Sequence, residues 1–232
     1  MIYYLIASIL IAVTALFART KRAVLAAGIL FYAVQIAAAG LLLWGGLYDT
    51  TSAAFFTFDA LGTLFYLLLV VVSMYVFGHS EAYLQGEDLR SYRLYFALLM
   101  LLTTAIAGAY FANNLAVTWI FLEATTLCSA GIAMAYLGIL LLAAATKCET
   151  LSYEAVAEAA SSGNPLYLKT AFLLILSGYS CKLELFPLYT VGIDANFAAP
   201  APASALISTG LVNAGFLALL RVYKLLAGTE VF

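Results

Sequence analysis

Glu123 and Lys182 are the residues of this chain whose type and position point most directly to chemistry. Glu123 lies about nine residues into the uncharged apolar run that begins after Asn114, and Lys182 about twelve residues into the segment that opens at Thr170. At about 1.5 Å of rise per residue, a helix carries each of them well inside a hydrocarbon layer about 30 Å thick. An ionisable side chain at that depth costs several kcal/mol unless it finds a partner, water or a proton. Burial lowers the proton affinity of a lysine, and a nearby carboxylate raises it again. A carboxylate that moves can therefore switch such a lysine between holding and releasing a proton, the two titrating as a pair. The same pair also reads as a purely structural lock between helices.

The residues around each charge extend this reading. On a continuous helix Trp119, Glu123, Thr126 and Ala130 share one face, at spacings of four, three and four. Lys182 stands in Ser-Gly-Tyr-Ser-Cys-Lys-Leu-Glu-Leu-Phe-Pro, residues 177–187. Pro187 cannot donate to the carbonyl of Leu183, and Gly178 is a second weak point, so a helix break is expected between them. A break beside a buried charge leaves carbonyls that water or an ammonium group can use. Glu184 faces away from Lys182 on an unbroken helix and reaches water on a broken one. Farther on, Ala205, Thr209, Asn213 and Phe216 share a face, with Ser204 and Ser208 on the adjacent strip. Asn213 carries no charge; it holds a water wire or serves as interhelical glue.

The elements that must position these groups are membrane spans. Hydrophobic residues make up 66% of the chain and charged residues 9%, with a mean hydropathy of +1.05. That is far too little polar surface for a water-facing exterior. The net charge of −2 and the lack of a basic run exclude a nucleic-acid partner. Cys128, Cys148 and Cys181 have no metal-ligand spacing, and neither a haem motif nor a Gly-rich nucleotide loop occurs, so no metal, redox cofactor or catalytic constellation is expected. The positive cluster Arg19, Lys21, Arg22 follows the first apolar stretch, unlike the pattern of a cleavable signal peptide.

Seven apolar stretches stand out: 2–18, 23–47, 60–78, 94–112, 114–146, 170–191 and 203–223. The basic loop 18–22 places itself and loop 79–93, which opens on the lone His79, on the cytoplasmic side. Loop 48–59, with Asp49 and Asp59, is then external. Stretch 114–146 would reach about 50 Å as one helix, too long for one span without protrusion or strong tilt, so one span or two stay open. As two spans it needs a turn near Ser129-Ala130-Gly131. Segment 147–169 reads as a surface amphipathic stretch ending in Ser-Ser-Gly-Asn-Pro. The expected fold is an all-α polytopic transmembrane bundle of about seven spans, one domain over residues 1–232, broken near Lys182–Pro187.

Two long motifs carry a family resemblance. Asn-Asn-Leu-Ala-Val-Thr-Trp-Ile-Phe-Leu-Glu-Ala-Thr-Thr-Leu (113–127) resembles the Glu-bearing fifth helix of the antiporter-like membrane subunits. These occur in respiratory complex I, Mrp-type Na⁺/H⁺ antiporters and membrane-bound hydrogenases. The segment from Leu176 to Tyr223, with Gly-Tyr-Ser-Cys-Lys, Phe-Pro-Leu-Tyr-Thr and Ala-Pro-Ala-Pro-Ala-Ser-Ala-Leu-Ile, resembles their broken seventh helix and the eighth. Phe58-Asp59-Ala60-Leu61 resembles the start of helix three. The Glu-Ala-Thr-Thr-Leu wording and Asn213 resemble the hydrogenase-4 component F branch in particular. The resemblance implies that Glu123 is the helix-five glutamate, Lys182 the proton-exchanging lysine and Asp194 the loop aspartate after the break. Asn213 stands where other branches place a lysine. Tyr189, Ile193 and Asn196 replace the family's histidine-bearing, proline-containing loop, and the chain resembles the first half of such a subunit, internally shortened.

The function this implies is that of a non-redox membrane subunit of a proton-translocating complex of the NADH:quinone oxidoreductase or hydrogenase type. Lys182 would transfer the proton, Glu123 would modulate it, and Thr126, Glu184, Asp194, Ser208 and Asn213 would line the path. Its partners would be the lipid bilayer and other membrane subunits of an oxidoreductase or antiporter complex, in the inner cell membrane. Two alternatives stand beside it: a structural or assembly subunit or inactive half, and a membrane subunit of inorganic-carbon uptake. The composition predicts that the chain stays with the membrane through an alkaline carbonate wash and leaves only with detergent. Release by carbonate alone would refute the membrane assignment.

Overall fold

In the computed structural model, residues 1–45, 55–125, 129–185, 189–229 and 231 are described, with backbone alone for 129–132, 190 and 191. The described residues form α1 (Ile2–Leu16), α2 (Lys21–Leu43), α3 (Ala60–Tyr83), α4 (Leu89–Phe111), α5 (Leu115–Ala124), α6 (Ser129–Thr146), α7 (Tyr153–Ala160), α8 (Pro165–Ser180), α9 (Thr190–Ala198), α10 (Ala201–Leu206) and α11 (Val212–Leu226). Between α10 and α11 the turns widen into a π-helix over Ile207–Leu211. Polar side chains open most of these helices. Thr20, Asp59, Asp88, Asn114, Ser152 and Asn164 each accept a bond from a first-turn N–H, and Pro165 takes the first helical position of α8. Hydrogen bonding from Ser91 holds the Asp88 carboxyl below its ordinary range.

Among the described residues, four helices are long and apolar enough to cross a membrane: α2, α3, α4 and the continuous Ala201–Leu226, with α1, α5 and part of α6 as shorter apolar helices. Their outward faces carry Tyr3, Ile29, Val71 and Leu98, all well exposed. This is the exterior of a membrane protein. The centre is α4, against which α1, α2, α3 and α5 pack. Lys21 Nζ donates to the Gln85 carbonyl at 2.9 Å and lies 5.1 Å from the Tyr92 ring, so the α1–α2 and α3–α4 loops share one end. We call it the basic end.

The opposite end is built around the chain that leaves α4. Its residues 111–115, extended at 112–114 between the two helices, are bonded on both sides. Thr57 N–H reaches the Phe111 carbonyl at 2.8 Å and Asn113 N–H the Phe55 carbonyl at 2.7 Å; Leu115 N–H reaches the Leu151 carbonyl at 2.9 Å and Tyr153 N–H the Asn113 carbonyl at 3.2 Å. Arg221 of α11 completes this knot. It donates to the carbonyls of Tyr110 (2.7 Å) and Ala112 (2.9 Å), and pairs with Asp59 at 3.0 Å. Asp59 in turn caps α3 through Gly62 N–H, and a Cβ on Gly62 would lie 2.5 Å from that carboxylate and 2.7 Å from the Tyr110 carbonyl. One guanidinium thus closes the end of α4 and ties it to the start of α3.

The knot settles the course of stretch 114–146. Residues 113–115 and 151–153 are bonded together, so α5 and α6 leave and return at the same end. The turn expected near Ser129-Ala130-Gly131 does not fall there: α5 ends at Ala124, and the chain is already helical from Ser129 in α6. At about 15 Å, α5 is half a span long. The shared face expected for Trp119, Glu123, Thr126 and Ala130 therefore ends with α5; Thr126 lies outside the described residues. The return helix α6 packs tightly on α8, where a Cβ on Gly138 would lie 2.8 Å from the Ala171 carbonyl.

Other buried polar groups find partners between spans. Gln35 of α2, fully buried, accepts from Tyr4 of α1 and from Tyr66 of α3 (3.0 Å). Tyr32 donates to the Ser73 carbonyl at 2.8 Å. Arg221→Ala would leave helix-end carbonyls and Asp59 without their donor, which we expect to cost about 1–3 kcal/mol given the partial exposure of Asp59. Arg221→Lys should recover under half of that, because one ammonium cannot reproduce the fork. Thermal unfolding in a mild detergent reads both; equal stability of the alanine variant and the parent would refute the role of the knot.

Candidate functional site

The site lies where α8 stops and α5 ends. Helix α8 passes through Gly178, which is buried within it, and finishes at Ser180. The break expected from Gly178 onward therefore begins at Cys181, and Pro187 lies outside the described residues. Leu183 N–H still reaches the Tyr179 carbonyl at 3.0 Å, while Leu185 N–H reaches back to the Ser180 carbonyl at 3.1 Å. Between them Glu184 takes a left-handed backbone with φ of 53°. This is the closure usually built on glycine. A glutamate there carries about 1–3 kcal/mol of strain, so surrounding contacts must hold it.

Lys182 sits in this closing turn and is 7% exposed. Its Nζ donates to the Leu122 carbonyl at 2.9 Å and lies 3.4 Å from Thr125 Oγ1. These residues stand on either side of Glu123 at the C-terminal end of α5. The ammonium therefore meets a helix terminus where free carbonyls and the backbone dipole favour positive charge. Thr125 Oγ1 also donates to the Leu122 carbonyl, at 2.6 Å. The hydroxyl described beside the ammonium is that of Thr125, one residue before the Thr126 expected on the Glu123 face. Glu123 is half-buried, and its Oε2 is enclosed with no donor among the described residues. The structure thus brings Glu123 and Lys182 to one helix end, with Lys182 held through the neighbours of Glu123.

Two measures agree on the depth of this point. Leu122 lies eight residues below Asn114 on α5, and Gly215, whose Cβ would be 3.2 Å from Lys182 Cβ, lies six residues below Arg221 on α11. These spacings correspond to about 9–12 Å beneath the knot, inside a layer about 30 Å thick.

The remaining expected site residues divide. Glu184 accepts from Asn196 Nδ2 at 3.0 Å, and Asn196 Oδ1 accepts from Ser204 (2.8 Å) and Ser208 (3.2 Å). Asp194 is exposed and lies within helix α9, not in a loop, because Thr190–Ala198 winds up on a local run free of proline. Asn213 borders a small crevice with Leu68, Leu69, Val72, Tyr110, Thr209 and Gly210, on another side of the last helix from Gly215 and Lys182. There Tyr110 donates to the Gly210 carbonyl within the π-helix at 2.9 Å. Such wide turns recur at functional sites. Sequence reading missed Tyr110, Arg221 and Thr125; each donates to a backbone carbonyl, which leaves no side-chain signature, and only the rarity of an arginine in an apolar span marked Arg221.

Comparison with known proteins places this geometry. Residues 86–232 match the family described as NADH:quinone oxidoreductase/Mrp antiporter, transmembrane. That stretch contains both motifs on which the resemblance rested. The chain is similar to the hydrogenase-4 component F homolog of Methylacidiphilum infernorum (isolate V4), 28% identical over 211 residues and covering 75% of this chain. The match takes in 44% of that protein, so the chain spans less than half the length of this curated relative. Its fold is similar to a chain of the membrane-bound sulfane sulfur reductase, an archaeal respiratory membrane complex. That match has a TM-score of 0.80 at 21% identity, over 98% of this chain and 53% of the other.

Lys182 and Thr125 share one acceptor, and their substitutions should couple. We expect Lys182→Met to cost about 1–3 kcal/mol and Thr125→Val about 1 kcal/mol. The double variant should depart from their sum by at least about 0.5 kcal/mol. Additive effects in detergent unfolding would show that the two side chains act separately.

Proposed function

The chain belongs to the NADH:quinone oxidoreductase/Mrp antiporter transmembrane family, and on that premise we propose that it is a membrane subunit of a respiratory or hydrogenase-type complex that passes protons through Lys182. The observation that carries this reading is the position of the Lys182 ammonium on the Leu122 carbonyl, next to Glu123, at mid-depth in an apolar bundle. A lysine at such a place is stable protonated while it rests on the helix end. It can give up its proton when the carbonyl or the carboxylate moves away. Glu123 presents an enclosed acceptor oxygen at the same helix end, which suits it to tune or receive that proton.

The proposed sequence is short. A proton arrives from the basic end and is held on Lys182 beside the end of α5. Displacement of α5 by partner subunits then separates Glu123 from the lysine, and the proton leaves toward the next carrier. No electron transfer is assigned to this chain; its partners would supply the driving reaction. The inner cell membrane is the proposed location, with the basic end toward the cytoplasm as the Arg19, Lys21, Arg22 cluster favours.

A structural reading has one observation in its favour: the same Lys182 bond caps α5, so the lysine can serve to close a helix end. Proton uptake by sealed membrane vesicles from producing cells separates the two readings. Under the proposed function, Lys182→Ala lowers the chain-dependent rate at least about tenfold, within the range for removal of a proton-transferring group, while the complex still assembles. Unchanged uptake by an assembled alanine variant would overturn the proposal and leave the structural role.

A further inference from the structure

We infer that Glu184 is a second proton carrier, a carboxylate that loads Lys182 from the basic end. This inference rests on the proposed role of Lys182. Four observations support it, and the first is backbone strain: Glu184 occupies a left-handed conformation where glycine would be unstrained. The second is space made for its side chain. A Cβ on Gly192 would lie 2.3–2.4 Å from Glu184 Cγ, Cδ and Oε1, so α9 carries glycine at the point where the carboxylate passes.

The third is the polarity of its hydrogen bonds. Ser204 and Ser208 are assigned as donors to Asn196 Oδ1, which directs the Asn196 amide N–H toward Glu184 Oε1. An ionised carboxylate is an acceptor only, and this amide presents it a donor. The fourth is direction. Gly215 marks the level of Lys182 on the last helix, while Ser208 and Ser204 lie seven and eleven residues before it. The cluster therefore extends about 10–16 Å from the lysine toward the basic end.

The transfer balances without any further reactant. Water delivers a proton to the Glu184 carboxylate; the carboxylic acid passes it to the neutral amine of Lys182, restoring carboxylate and forming ammonium. Asn196 is a positioning residue here. Its amide holds the carboxylate within the turn, and Ser204 and Ser208 fix the amide. The other titratable groups near Glu184 are Lys182 in the same turn, Tyr189 and Asp194 beside and on α9, and Glu123 at the end of α5. Helix α3, packed on α10, brings Tyr75, His79 and Glu81 toward the basic end. Helix α10 and the π-helix carry no ionisable side chain.

The test is the pH profile of proton uptake by membrane vesicles holding the full chain with its native partners. A carboxylate carrier must be protonated to donate, so uptake falls as pH rises through its titration. Glu184→Gln keeps an acceptor for Asn196 and should lower the rate about tenfold while abolishing that fall. Asn196→Leu leaves the carboxylate but removes the amide that positions it, so it should lower the rate while keeping the fall with rising pH, unlike Glu184→Gln. A profile of Glu184→Gln superimposable on the parent, where Lys182→Ala is inactive, would overturn this inference alone. Loss of the fall in Asn196→Leu, whose carboxylate is intact, would overturn it too. Full activity of Lys182→Ala would take down the proposed function, and this inference with it.

Discussion

A helix that ends inside an apolar layer must hand its last carbonyls to a donor, and this requirement governs the structure. Water is scarce there, and each unsatisfied backbone group costs several kcal/mol. Two helices face the problem. The end of α4 is closed by Arg221, and the end of α5 by Lys182. In both cases a cation from a distant part of the sequence supplies the donor, and in both it meets the negative end of a helix dipole. The difference lies in the chemistry of the two cations. A guanidinium stays protonated and grips several acceptors at once, which suits a permanent lock. An ammonium rests on one or two acceptors and can lose a proton, which suits a reversible one.

The same logic explains why the region between these two points is irregular. Residues 112–114 run extended, and the N–H and C=O groups of this crossing and its two flanking residues are taken by segments 55–57 and 151–153. Extended chain at the rim of a bundle is tolerated because protein on both sides satisfies it. That pairing turns α5 and α6 back together, and it fixes how deep the end of α5 can reach. The depth of Lys182 is thus set by the knot at one end of α5 and by the close approach of Gly215 on α11.

Much of this was legible in the sequence. Charges are so rare in the apolar runs that Glu123 and Lys182 announced themselves, and the excess length of 114–146 showed that one straight span would not serve. The family resemblance rested on the stretches that the family match covers. What stayed hidden depended on backbone acceptors or on where a helix stops. Arg221 bonds to the carbonyls of Tyr110 and Ala112, which have no side-chain signature. Thr125, which meets Lys182, stands just past the end of α5, and nothing in the apolar run marks where that helix stops. Glu184 gave no sign of a left-handed backbone, since the usual mark of such a turn is glycine. Gly192, which makes room for its carboxylate, sits eight residues away in another helix.

The lateness of Arg221 in the chain has a consequence for biogenesis. A membrane protein is threaded into the bilayer from its N-terminus, so α4 is synthesised more than a hundred residues before the arginine that closes it. Through that interval the end of α4 must rely on the insertion machinery or on interfacial water. The strand-like seam of 111–115 forms in two instalments, first with 55–57 and then with 151–153. Arrival of α11 is the step that converts a set of inserted helices into a locked bundle. A ribosome that stalls before residue 221 would leave a nascent protein whose spans are all present up to α10 but unfastened. Such a product is an obvious target for membrane quality-control proteases.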